Sequence, residues 1–110
     1  MDIFRKAIRI LMLACAVMHI CSCQSKPIKA LVVSGQNNHN WQVSHKVLKQ
    51  ILDNSGLFVT DIALTAPAGG DMTTFKPDFS QYDVVVLDYN GDRWPAEADS
   101  AFVKYVRKGG

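Results

Sequence analysis

Apolar residues along the chain fall into two patterns, short unbroken runs and helical stripes, and the two alternate. Residues 28–34 (IKALVVS) contain the run Ala30-Leu31-Val32-Val33, which predicts a strand covered on both faces. After a polar loop (QNNHNW), residues 42–52 place Val43, Val47, Leu48, Ile51 and Leu52 on one helical stripe and Lys46, Lys49 and Gln50 opposite. His45 falls one turn into this helix, on its polar side. Asn40 reads as the N-cap and Gly56 as the stop.

Residues 57–64 (LFVTDIAL) are β-branched and apolar, and predict a second strand. Pro67, Gly69, Gly70 and Pro77 break the next stretch into a loop. Residues 79–82 predict a turn that packs Phe79 and Tyr82 beneath the sheet. Residues 83–88 (DVVVLD) form the third strand, buried like the others, and 89–94 a second polar loop. Pro95 suits the first turn of a helix that has Glu97 and Asp99 at its positive end. Ala98, Ala101, Phe102, Tyr105 and Val106 form its inner face, with Lys104, Arg107 and Lys108 at its negative end.

The order β-α-β-loop-β-α with buried strands predicts an α/β fold with a parallel sheet and right-handed crossovers. Three strands and two helices do not cover both faces of such a sheet. The pattern therefore leads to the expectation that residues 29–110 are the N-terminal part of a larger domain.

The start of the chain follows different rules. Arg5, Lys6 and Arg9 precede the apolar run 10–17, which is too short for a comfortable membrane span of about 20 residues. Ile20-Cys21-Ser22-Cys23 resembles a bacterial lipobox, with Cys23 as the lipidated residue. Residues 1–22 are read as a lipoprotein signal peptide and 23–28 as a tether, the other readings being a plain cleaved signal or a short anchor. The expected location is exported, lipid-anchored to the bacterial membrane at the periplasm or outer membrane.

Removing that leader changes the charge account. The formal net charge of the whole chain is +2, but without Arg5, Lys6, Arg9 and Asp2 the remainder holds nine basic and nine acidic residues. No basic patch argues for nucleic acid. All three cysteines (Cys15, Cys21, Cys23) precede the folded part, so no disulfide or thiolate nucleophile is available after Cys23.

Candidate chemistry lies in the two loops that follow strands one and three, since α/β sheets bind ligands beyond the carboxyl ends of their strands. In the first, His39 can act as acid or base near neutral pH, Asn38 and Asn40 can bond hydroxyls, and Trp41 can stack on a sugar face. The competing reading is that the asparagines form turns and the cap while Trp41 packs on the core. In the second, Asp88-Tyr89-Asn90-Gly91-Asp92, backed by Trp94, faces the same crevice if the strand order is 2-1-3. Asp88 and His39 are then the catalytic candidates, with Asn38, Asn40, Trp41, Tyr89, Asn90, Gly91 and Trp94 as substrate-binding candidates. Against this, Asn90-Gly91 is a turn signal in its own right. His39 and His45 do not have a metal-ligand spacing, and neither a metal nor a cofactor is expected. Glycine-rich phosphate loops and a G-x-S-x-G elbow are absent.

The stretches KALVVSGQNNHNWQVSH, QYDVVVLDYNGDRW and FVKYVRKGG, taken together, resemble the ThuA-like (trehalose-utilisation) family over residues 29–110. The resemblance implies a class I glutamine amidotransferase-like, flavodoxin-like three-layer sandwich. It implies carbohydrate metabolism, on keto-disaccharides or glycosides, by hydrolase or isomerase-like chemistry rather than glutaminase chemistry. It also implies that His39, Trp41, Asp88, Asn90 and Gly91 line the pocket. A non-catalytic sugar-binding lipoprotein using the same crevice is the alternative, with Trp41 or Trp94 as the stacking platform. The oligomeric state is left open.

Overall fold

The computed structural model describes residues 25–110. The expected signal peptide, residues 1–22, and the expected lipidation site, Cys23, lie outside the described residues. Three strands, β1 (Ile28–Ser34), β2 (Phe58–Leu64) and β3 (Val84–Leu87), form one sheet in the order β2-β1-β3. Both pairings are parallel, with Ala30 opposite Thr60 on one side and Val84 on the other. Helix α1 (Trp41–Asn54) links β1 to β2, and α2 (Ala96–Arg107) follows β3. A single 3-10 turn, Phe79–Gln81, precedes β3, with the Asp78 carboxylate accepting from the Ser80 amide at 3.1 Å.

The unbroken apolar run of β1 is explained by its central place, paired on both sides and covered on both faces. Ala30, Val32 and Val33 are fully buried and Leu31 nearly so. Successive side chains alternate between the faces. Leu31 and Val33 point into the main core with Ala63 of β2, Val85 of β3, Phe75, Phe79, and Ala98, Phe102 and Tyr105 of α2. Phe79 is the anchor of that core, its ring centroid 5.2 Å from that of Phe102 and 6.0 Å from that of Trp94.

Two expectations need correction. First, α1 is rotated from the face its apolar stripe suggested. Val43, Val47 and Ile51 are exposed, while Trp41, Ser44, Leu48 and Leu52 are half-buried and His45 is buried. Two overlapping stripes share Leu48 and Leu52. The one turned inward carries Ser44, whose hydroxyl reaches a buried carboxylate at the end of β3. Second, β3 is shorter than 83–88 and only half-buried, with Leu87 exposed. The Asp83 side chain is drawn out of the strand to accept from the Lys29 amide at 2.8 Å. Asn40 stands at the N-cap position of α1 as expected, without a cap hydrogen bond from its side chain.

At Thr60 the outer edge of β2 is covered by side chains. Asp53 Oδ1 accepts from the Thr60 amide at 3.0 Å, and Lys49 Nζ donates both to the Thr60 carbonyl and to Asp53 Oδ2. Backbone groups that β1 does not pair are thus satisfied from the last turns of α1, which protects an edge otherwise open to another strand.

Candidate functional site

The site is built where β1 and β3 end side by side. Ser34 is the last residue of β1, and the chain then turns at Gly35, whose φ of 126° lies outside the range side chains favour. A Cβ there would stand 2.7 Å from the Thr65 backbone nitrogen. That close approach brings the loop after β2 against the loop after β1, sealed by the Thr65 amide donating to the Ser34 carbonyl at 2.9 Å.

The next residue, Gln36, is 5% exposed and ties three loops together. Its Nε2 donates to the Ala66 carbonyl and its Oε1 accepts from the Asp92 amide, each at 2.8 Å. Its own carbonyl accepts from the Asn90 amide at 3.0 Å. Gly91 lies directly over the Gln36 side chain, where a Cβ would be 2.2 Å from Oε1. The second loop keeps its shape through these contacts, and the glycine of Asn90-Gly91 is required by the close approach.

Asp88 immediately follows β3 and is held by its amide donating to the Val33 carbonyl at 2.9 Å. Its carboxylate is 7% exposed as a residue and surrounded by donors. Oδ2 accepts from Ser44 Oγ at 2.6 Å and from Ser34 Oγ at 3.0 Å. Oδ1 meets His39 Nε2 at 3.0 Å and Asn37 Nδ2 at 3.5 Å. Burial alone would raise the carboxyl pKa. The Ser44, Ser34 and His39 hydrogen bonds together outweigh it and hold Asp88 below the ordinary 3.8.

An ionised carboxylate only accepts, so Nε2 of His39 carries the proton in this contact. Nδ1 is left as the ring nitrogen free to exchange a proton, and the His39 side chain is about half exposed at 51%. A fixed acid behind a half-open imidazole is an arrangement suited to general acid–base chemistry.

The remaining candidates are distributed unevenly. Asn38 and Asn40 are exposed. The Asn38 amide donates to Asn37 Oδ1 at 2.8 Å, and the Asn40 carbonyl accepts the Ser44 amide at 3.1 Å. Trp41 begins α1 and stacks on His45, with ring centroids 6.0 Å apart. His45 is therefore on the inner face rather than the polar side, its Nδ1 donating to the Trp41 carbonyl. Asn90 and Gly91 are exposed beside Gln36. Tyr89 is half-buried, its hydroxyl donating to the Asp92 carbonyl and its ring 5.6 Å from that of Trp94. Trp94 stands among Phe75, Phe79, Tyr89 and Phe102, packed against the core cluster, with a buried Nε1 that has no partner.

The structure thus joins His39 to Asp88 and adds Ser34, Ser44, Asn37 and Gln36, which the sequence reading passed over. Ser34 was within reach of that reading, because an order of 2-1-3 places the last residue of strand one beside Asp88. Ser44 carried no such signal. Among the described residues there is no group of three His, Cys, Asp or Glu side chains able to hold a metal ion.

No family model matches the chain, and no curated protein does. A crystal structure of a ThuA-like protein from Parabacteroides merdae superposes with a TM-score of 0.75 and 60% sequence identity, covering 77% of this chain. The chain spans 30% of the length of that protein. Fold and site together define a flavodoxin-like parallel α/β protein with its polar cluster at the carboxyl edge of the sheet. Within that class, the 60% identity to this neighbour supports the ThuA-like family.

Proposed function

We propose that this chain is a ThuA-like protein of the bacterial envelope that acts on a carbohydrate, with His39 as the acid or base and Asp88 orienting it. The observation that carries this reading is the 3.0 Å contact between His39 Nε2 and Asp88 Oδ1 at the junction of two strand ends. The substrate class follows from the family, whose name refers to trehalose utilisation, and a keto-disaccharide or glycoside is the proposed substrate. Asn38, Asn40, Asn90 and Gly91 are the exposed groups nearest in sequence to the pair, and supply the proposed contacts to sugar hydroxyls. Trp41 is the proposed stacking surface, because Trp94 is engaged with four other aromatic rings.

The test is to incubate the full natural protein with 3-keto-glucosides and follow product. Turnover supports the enzyme. Saturable binding without turnover would replace it with a sugar-binding lipoprotein using the same crevice. The envelope location is tested separately. Labelled palmitate should be incorporated by expressing cells into the wild-type protein and not into Cys23→Ala, and a wild type that takes up no label would contradict it.

A further inference from the structure

The Asp88 carboxylate is gripped unequally. Its two oxygens have different tasks: Oδ1 faces His39, while Oδ2 accepts from hydroxyls on two separate elements, Ser34 on β1 and Ser44 on α1. The Ser44 contact, at 2.6 Å, is the shorter and falls in the range of charge-assisted O–H···O⁻ bonds. An Asp χ2 torsion is broad and roughly two-fold, so a carboxylate without such a grip rotates over a wide range.

We propose that Ser44 is a positioning residue of this site, its hydroxyl holding Oδ2 of Asp88 so that Oδ1 of the same carboxylate is presented to His39. Ser44 suits this task because it joins the two parts of the pair. Its amide donates to the Asn40 carbonyl at the end of the His39 loop, and its hydroxyl reaches across to the end of β3. A local alternative exists in the Trp41 carbonyl, 3.5 Å from the same hydroxyl. The hydroxyl instead closes on the carboxylate at 2.6 Å, which also ties the first turn of α1 to the end of β3. Orienting partners behind a working side chain commonly matter this way, by restricting its geometry rather than by touching substrate.

Any effect of Ser44 on turnover rests on the acid–base reading above, but its grip on Asp88 is measurable without substrate. Carboxyl carbon NMR titrations of Asp88 in the full chain would compare wild type, Ser44→Ala and Ser44→Thr. The Asp88 midpoint should rise by roughly half to one pH unit in Ser44→Ala, as expected for losing one donor to the charged form. It should return toward the wild-type value in Ser44→Thr, which keeps the hydroxyl. A midpoint unmoved by Ser44→Ala, or raised equally in Ser44→Thr, would overturn the proposal. Should Ser44→Ala not fold, Ser44→Val, matched in shape to Ser44→Thr but lacking the hydroxyl, takes its place: a midpoint raised in Ser44→Val and not in Ser44→Thr supports the grip, and equal midpoints in the two overturn it. Failure of the carbohydrate reading would leave these midpoints as expected, and failure of the positioning would leave turnover intact.

Discussion

His39 Nε2 and Asp88 Oδ1 stand 3.0 Å apart although 49 residues separate them in sequence. The distance is closed by topology: β1 and β3 are parallel neighbours, so the loop after one and the residue after the other reach the same edge. The pair is held from below by the two serine hydroxyls and from the side by the loops that Gln36 ties together.

Asp88 should make the fold acid-sensitive. Its pKa is lower in the folded protein than in the unfolded chain, so its contribution is fully present above the ordinary value of 3.8 and is lost as pH falls through the lowered one. Chemical unfolding across a series of acidic pH values should show wild-type stability declining below pH 3.8. Asp88→Asn should flatten that slope and lose about 1–3 kcal/mol at neutral pH, because an amide cannot accept all four donors. An unchanged slope would mean the carboxylate is not held as described.

Two glycines at the site should differ in their tolerance of a methyl group. Gly35→Ala meets both an unfavourable φ and the backbone of Thr65, and should cost about 3 kcal/mol or more. Gly91→Ala meets only the Gln36 side chain and should cost about 1–3 kcal/mol. Thermal or denaturant melts of the two variants check the ranking, and the reverse order would contradict the loop packing.

Phe79 is 1% exposed at the centre of the aromatic cluster. Phe79→Ala should destabilise by about 3–5 kcal/mol and shift the Trp94 fluorescence to longer wavelength as water reaches its ring. A melt within about 1 kcal/mol of wild type would show that the cavity collapses or that the cluster is not the core.

The Lys49–Asp53 pair guards the edge of β2 rather than the site. Asp53→Ala leaves the Thr60 amide without its side-chain partner, and should lower the melting temperature and promote association through the freed edge. Sedimentation velocity at increasing concentration measures the second effect, and a variant that associates no more than the wild type would remove the edge-guarding role.

Much of this arrangement was legible in the chain. The run Ala30–Val33 fixed β1 because only a central parallel strand buries consecutive apolar residues, and the strand order 2-1-3 then brought His39 and Asp88 to one edge. The face of α1 was not legible. Its apolar residues form two overlapping stripes, and periodicity cannot say that Ser44 and His45 turn inward while Val43, Val47 and Ile51 face out. Ser44 was invisible for the same reason, since a serine one turn into a helix matters only through a residue 44 positions away. Trp94 reads as a ligand platform from its place beside a polar loop. Its neighbours Phe75, Phe79 and Phe102 come from three other segments that sequence proximity does not reveal.

The most direct test is the rate at which the full natural protein converts a 3-keto-glucoside, measured for wild type and for His39→Gln. If His39 is the acid or base, kcat should fall by about 10²–10⁴-fold with KM little changed. A His39→Gln enzyme turning over at the wild-type rate would contradict that role.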